Sequence, residues 1–137
     1  VEASGIALAL AAAHFLDDIP VVFAKKSPAA NQSADMLTAV AHSFTHGNDN
    51  TLRVDRRYLP AGSRVLVVDD FLADGEASRA LISIVEQAGC MLVGVGIAVE
   101  KGFQPGGRKL REAGVNLKSL AIVTSIQDGR IQLADDD

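Results

Sequence analysis

The residues with the most chemistry in them lie in one run, Arg64-Val65-Leu66-Val67-Val68-Asp69-Asp70-Phe71-Leu72-Ala73-Asp74-Gly75-Glu76-Ala77. It reads as an apolar strand ending in two carboxylates, a short turn containing Gly75, and the start of a helix. In an open α/β sheet, ligands occupy the crevice beyond the carboxyl ends of the strands. Asp69 and Asp70 would place two acceptors there, suited to sugar hydroxyls or to a hydrated magnesium ion. Ala73, Asp74, Gly75, Glu76 and Ala77 would present backbone N–H groups at a helix N-terminus, which suits a phosphate. A diol next to a phosphate describes a phosphorylated ribose.

Other readings of the same residue types compete with this one. Two acids after a buried strand, and a glycine shortly before a helix, are also ordinary turn chemistry. Receiver domains pair acids at a strand end, but the next apolar strand here, residues 91–99, ends in Glu100-Lys101 and offers no phospho-acceptor aspartate. Ala3, Ser4 and Gly5 form a second small-residue turn opening a helix, which on its own is a plain N-cap. Lys25, Lys26 and Lys101 each stand at a strand end and read individually as solvated lysines. His14, His42 and His46 lack metal-ligand spacing. The single cysteine, Cys90, heads an apolar strand and reads as a buried thiol.

The elements that must position these groups follow from the apolar pattern. Residues 5–17 are apolar on nearly all sides, predicting a helix buried against a sheet with Ser4 as its N-cap. Residues 20–24 predict a short buried strand ending at Lys25-Lys26. Residues 27–35 are a polar loop, and residues 36–44 and 51–54 predict a β-hairpin about the polar turn 46–50. The strand at 64–68 is followed by a helix over 76–88. There Ala77, Ala80, Leu81, Ile84, Val85 and Ala88 recur at helical spacing, with Gly89 at C′. With the strand at 91–99 this makes a right-handed βαβ unit. A short helix at 107–113 stops at Gly114, a strand covers 119–124, and residues 125–127 and 131–133 form a terminal β extension through Asp128-Gly129.

Composition narrows the class. The chain has 137 residues, 48% of them hydrophobic, which is enough for the core of one domain. A net charge of −4 argues against a general nucleic-acid binder. One cysteine excludes an internal disulfide and fits a reducing cytoplasm. The apolar run at 6–13 is too short to span a membrane and is cut by His14 and Asp17-Asp18. Because Glu2 to Gly5 already looks like a strand-to-helix turn, a preceding N-terminal segment is expected.

In this order, the strand, the acid pair, the 73–77 turn and the helix resemble the type I phosphoribosyltransferases, and among them the bacterial xanthine phosphoribosyltransferases. The resemblance covers essentially the whole chain. It is carried by Glu2-Ala3-Ser4-Gly5-Ile6, by Pro20-Val21-Val22-Phe23-Ala24-Lys25-Lys26, by the run quoted first, and by Glu100-Lys101-Gly102-Phe103-Gln104-Pro105-Gly106. It implies an α/β fold with an open, mainly parallel sheet flanked by helices and a β-hairpin and flexible-loop insertion. It also implies transfer of ribose 5-phosphate from 5-phosphoribosyl-1-pyrophosphate (PRPP) to xanthine or a related 6-oxopurine, with release of pyrophosphate.

Carried over by position, the resemblance gives Asp69 and Asp70 to the ribose hydroxyls, directly or through Mg2+ that enters with PRPP. Residues 73–77 take the 5′-phosphate, and Ala3, Ser4 and Gly5 the pyrophosphate. Lys25 and Lys26 neutralise the leaving group, Lys101 contacts an exocyclic purine oxygen and Phe103 shapes the base pocket. The resemblance further implies a cytoplasmic homodimer and a loop at about 27–47 that closes over the site. The chain departs from the family at Asp74, where a neutral Thr or Asn is usual, and Glu76 adds a second acid. Both are expected to weaken PRPP binding. With an N-terminal hood segment missing, the 137 residues alone are expected to be a poor catalyst. The alternative is a non-catalytic, PRPP-sensing transcriptional regulator of the same fold, with a DNA-binding domain ahead of it.

Overall fold

In the computed structural model, residues 1–27, 35–42 and 49–134 are described. The βαβ unit forms as expected. Strands β3 (Arg64–Leu72) and β4 (Met91–Lys101) run parallel, with Asp69 opposite Ile97 and Leu72 opposite Glu100. Helix α2 (Glu76–Gln87) joins them. Its end is closed by Gly89 at φ 71°, with Gly89 N–H donating to Glu86 and Cys90 N–H to Val85. Those two bonds satisfy carbonyls that the last turn leaves open. Strand β5 (Leu117–Gln127) adds parallel to β4, and β6 (Arg130–Leu133) returns antiparallel through Asp128 and Gly129. Both turn residues have positive φ, as a tight hairpin requires. The order β3-β4-β5-β6 is therefore an open and mainly parallel sheet.

Strands β1 (Met36–Ala41) and β2 (Asn50–Asp55) form a separate antiparallel hairpin. Helix α2 lies between hairpin and sheet. Ala80, Ile84 and Ala88 pack with Leu37, Ala41, Leu52 and Val54, while Val85 packs with Val67, Leu72, Val95, Ile97 and Leu110. Leu110 comes from α3 (Gly106–Glu112). The two clusters share one helix, so α2 is anchored from both sides.

Several expectations are corrected. Residues 20–24 form no strand, because no described strand lies alongside to complete a ladder. Only Lys25 pairs, exchanging two 2.9 Å bonds with Arg53. Helix α1 spans Ser4–His14, so Ser4 is its first helical residue, and the cap position belongs to Ala3 with no side-chain bond. Only Gly5 and Ala13 of α1 are buried, so it is not the fully covered helix expected. An apolar groove of about 440 Å3 separates it and residues 20–24 from β3. Strand β3 continues four residues beyond Val68, so the acid pair lies inside it. A short 3-10 turn, Arg56–Tyr58, starts where the Asp55 carboxylate accepts from Arg57 N–H. Of the loop expected at 27–47, residues 36–41 are β1, and 28–34 and 43–48 lie outside the described residues, as does His46. No described helix is long and apolar enough to cross a membrane.

Candidate active site

Beyond the end of β3 the chain turns through Ala73 and Asp74 into Gly75, whose φ of 85° reverses the backbone ahead of α2. The first bond of α2 there is Arg79 N–H to Gly75 O, at 2.9 Å. The N–H groups of Glu76, Ala77 and Ser78 thus precede the helical ladder and are open to an external acceptor. Residues 73–78 form one wall of a cleft of about 250 Å3.

Asp69 and Asp70 line the same cleft in different states. Asp69 is 5% exposed, and burial pushes its carboxyl above the usual range. At Asp70 burial also acts upward, but it is outweighed by the Ser4 hydroxyl and the Phe71 and Asp70 backbone N–H groups, so the carboxyl falls below its ordinary value. The two neighbouring carboxyls are thus shifted in opposite directions.

The first residues and Lys26 also line the cleft, and the first residues are tied to residues 24–26. Glu2 N–H donates to Ala24 O at 3.2 Å, and Lys26 N–H donates to the Glu2 carboxylate at 2.5 Å. Glu2, Ser4 and Lys26 line the cleft. Gly5 does not line it but supports it, since a Cβ there would stand 2.6 Å from Asp69 Oδ1. Ala3 and Lys25 lie outside the lining; the Lys25 backbone is used by the bridge to Arg53.

The base-side candidates sit one strand over. Lys101 is half-buried at the end of β4, with Nζ 5.7 Å from the ring centroid of Phe71. That is cation–π range, and Phe71 itself lines the cleft. Phe103 also lies outside the lining and is 49% exposed, so it is not a core residue. Of the two extra acids, Glu76 is paired with Arg79 one turn along α2. Asp74 lines the cleft and makes no ion pair with any described residue.

Sequence reasoning missed part of the site. His42, Asn50 and Leu52 line the cleft from the hairpin, and His42 shares a 2.9 Å bond with Asp49. It also missed Glu100. This residue is 3% exposed, accepts two 2.7 Å bonds from Arg111 and one of 2.6 Å from Ser119, and immediately precedes Lys101. The Arg111 bonds hold the Glu100 carboxyl below its ordinary range despite burial.

Among the described residues, no three His, Cys, Asp or Glu side chains converge on a metal position. The donor set fits magnesium only as a shared ion: Asp70 supplies an ionised carboxylate, and most ligands would be substrate oxygens and water.

No protein-family model matches the chain. It is 47% identical over 131 residues to xanthine phosphoribosyltransferase 1 of Clostridium perfringens, spanning 96% of this chain and 69% of the relative. It is 47% identical over 135 residues to xanthine phosphoribosyltransferase of Ruminiclostridium cellulolyticum, spanning 98% and 70%. Among solved structures, the fold is similar to adenine phosphoribosyltransferase from Rhodothermus marinus, with a TM-score of 0.76 at 27% identity, covering 89% of this chain and 66% of that one. The chain thus spans about 69% of the length of the first of these relatives.

Proposed function

The chain belongs to the xanthine phosphoribosyltransferase family, and from that premise we propose that it transfers the 5-phosphoribosyl group of PRPP to xanthine or a related 6-oxopurine in purine salvage, releasing pyrophosphate. The observation that carries this reading is the convergence of Asp69, Asp70, residues 73–78, Ser4 and Lys26 on one cleft.

In the proposed reaction the bond from C1′ to the pyrophosphate oxygen breaks, a bond from C1′ to a purine nitrogen forms and the proton of the purine base passes to pyrophosphate or water, through a state with positive charge at C1′. No protein nucleophile is needed, so rate comes from positioning and from stabilising charge on the leaving group. The N–H groups of Glu76, Ala77 and Ser78 hold the 5′-phosphate. Asp70 accepts from a ribose hydroxyl, and Asp69, buried beneath it, fixes the strand end. Ala3, Ser4 and Gly5 offer the pyrophosphate a small-residue turn, and Lys26 supplies positive charge there. The lesser role of Lys25 is long-range charge from outside the lining. Magnesium bound with PRPP would screen the phosphate charges and make pyrophosphate a better leaving group. Lys101 donates to the exocyclic oxygen of a 6-oxopurine, where adenine would offer only another donor. Phe103 covers the base from the adjoining turn.

A homodimer and a cytoplasmic location are parts of this proposal that rest on family membership. The relatives named above are transferases, and nothing favours the sensing alternative. The test is pyrophosphate release with Mg2+ and PRPP over a panel of xanthine, guanine, hypoxanthine and adenine. Release dependent on a 6-oxopurine, greatest with xanthine, is expected. Release with adenine alone, or with no base dependence, overturns the reading.

A further inference from the structure

The turn between β4 and α3 touches the phosphate loop through two glycines. Gly106 is buried, and its N–H donates to Ala73 O at 2.9 Å. A Cβ on Gly106 would clash with Ala73 O and stand 2.6 Å from Gly75 N and 2.8 Å from Asp74 C. All three are backbone atoms, which cannot swing aside as a side-chain end can. Seen from the other loop, a Cβ on Gly75 would lie 3.2 Å from Gly106 Cα. Two backbones therefore meet with no side chain between them.

The turn that carries Gly106 is fixed from behind. A Cβ on Gly107 would run into the Glu100 carboxylate, and Glu100 is held by two bonds from Arg111 and one from Ser119. The turn is thus pressed between a pinned acid at the end of β4 and the loop that opens α2.

We propose that Gly106 is a positioning residue for the phosphate loop: its backbone holds residues 73–75 where the first N–H groups of α2 face a phosphate. This rests on the reading of residues 73–77 as the 5′-phosphate cradle. An anion held by backbone N–H groups depends on their direction, and displacements near 1 Å are enough to lose much of the binding. Gly106 touches no ligand in this scheme and lies outside the cleft lining, so its effect passes entirely through the loop. It also joins the two halves of the site, because Lys101 and Phe103 stand at the other end of the same turn.

The experiment is calorimetric titration of the wild type and Gly106→Ala with ribose 5-phosphate and, separately, with inorganic pyrophosphate, both in the presence of Mg2+. The variant is expected to bind ribose 5-phosphate about tenfold or more weakly while keeping pyrophosphate affinity within about twofold, since residues 3–5 and Lys26 make no contact with Gly106. Ribose 5-phosphate affinity within twofold of wild type overturns the proposal, as does an equal loss for both ligands. Should Gly106→Ala fail to fold, amide exchange in the wild type decides the matter. Saturating ribose 5-phosphate is expected to slow exchange of the Gly106 N–H, and an unchanged rate overturns the coupling. A wild type that binds no ribose 5-phosphate instead overturns the cradle reading itself, an outcome recognised without any variant.

Discussion

Asp69 and Asp70 are consecutive residues of β3 whose carboxyls are shifted in opposite directions from the ordinary value, Asp69 upward by burial and Asp70 downward by the Ser4 hydroxyl and backbone N–H groups. Alternation along a strand sends neighbouring side chains to opposite faces. One carboxyl is consequently buried under Gly5, while the other is half-buried in reach of the Ser4 hydroxyl. The two make opposite contributions to stability against pH. Asp69, raised in the folded state, contributes stability fully present below the unfolded carboxylate value of about 3.9 and lost as pH rises through its folded value. Asp70, lowered in the folded state, contributes stability present above the unfolded value and lost as pH falls through its folded value. At pH 7, Asp69→Asn is expected to raise the melting temperature, by about 2–4 °C, and Asp70→Asn to lower it. Melting curves from pH 7 down to pH 3 check this, and both differences should shrink toward the acid end.

Glu100 gives a second, larger pH effect. Arg111→Ala would leave a nearly fully buried carboxylate with only Ser119 as a hydrogen-bond donor. Removing one partner of a buried pair costs about 3–5 kcal/mol, and the partial exposure of Arg111 brings the expectation down to about 2 kcal/mol. Because the Glu100 carboxyl lies below its ordinary range when paired, its contribution is present above the unfolded value and lost as pH falls through the folded one. The Arg111→Ala penalty should therefore be full at pH 7 and shrink as pH falls below the unfolded carboxylate value in denaturant titrations. A penalty independent of pH would mean that packing of the Arg111 stem, and not the charge pair, is what the variant removes.

The local parts of this structure were legible in the sequence, and the parts made by distant contacts were not. The spacing of Ala80, Ile84, Val85 and Ala88, followed by Gly89, specifies an amphipathic helix and its end, and α2 follows it. Gly75 marks its turn in the same way, because the signal is complete within a few residues, whereas the acid pair, read as a strand end, lies inside β3, which runs on to Leu72. Residues 20–24 mislead because an apolar extended run looks alike with or without a neighbouring strand to pair with. Glu100, Arg111 and Ser119 are separated by 11 and 8 positions and read as three unrelated polar residues until β4, α3 and β5 are brought together. In the sequence Gly106 is only the last residue of the segment Glu100–Gly106 that carries the resemblance. Only the approach of the 73–75 backbone shows why a Cβ has no room there.

Under the proposed function, Lys101 separates base recognition from PRPP recognition. Its ammonium lies over Phe71 and outside the cleft lined by residues 73–78. Lys101→Ala is expected to raise KM for xanthine by about tenfold or more, the loss of one charge-assisted hydrogen bond of about 1.5–3 kcal/mol, with KM for PRPP within about twofold. Discrimination against adenine should fall in the same variant. Steady-state kinetics with each substrate varied in turn checks this. Equal rises in both KM values would place the lysine on the PRPP side.

Asp74 and Glu76 put two acids on a loop assigned to a phosphate, but the structure separates their effects. Glu76 is paired with Arg79, so its charge is largely compensated before any ligand arrives. Asp74 lines the cleft with no such partner among the described residues. A carboxylate about 6 Å from a phosphate charge, at an effective dielectric near 20, repels it by about 2–3 kcal/mol before salt screening. Screening in an open cleft reduces this, so Asp74→Asn is expected to tighten PRPP binding by about tenfold. The double variant Glu76→Gln/Arg79→Gln should change it little, because it removes a pair already balanced, whereas Glu76→Gln alone would uncover the Arg79 charge. Calorimetry with PRPP and Mg2+ at two ionic strengths reads both effects, and the Asp74→Asn gain should shrink as salt rises. If Asp74→Asn leaves affinity unchanged at low salt, its carboxylate points away from the bound phosphate, and the loop binds through its backbone N–H groups unopposed.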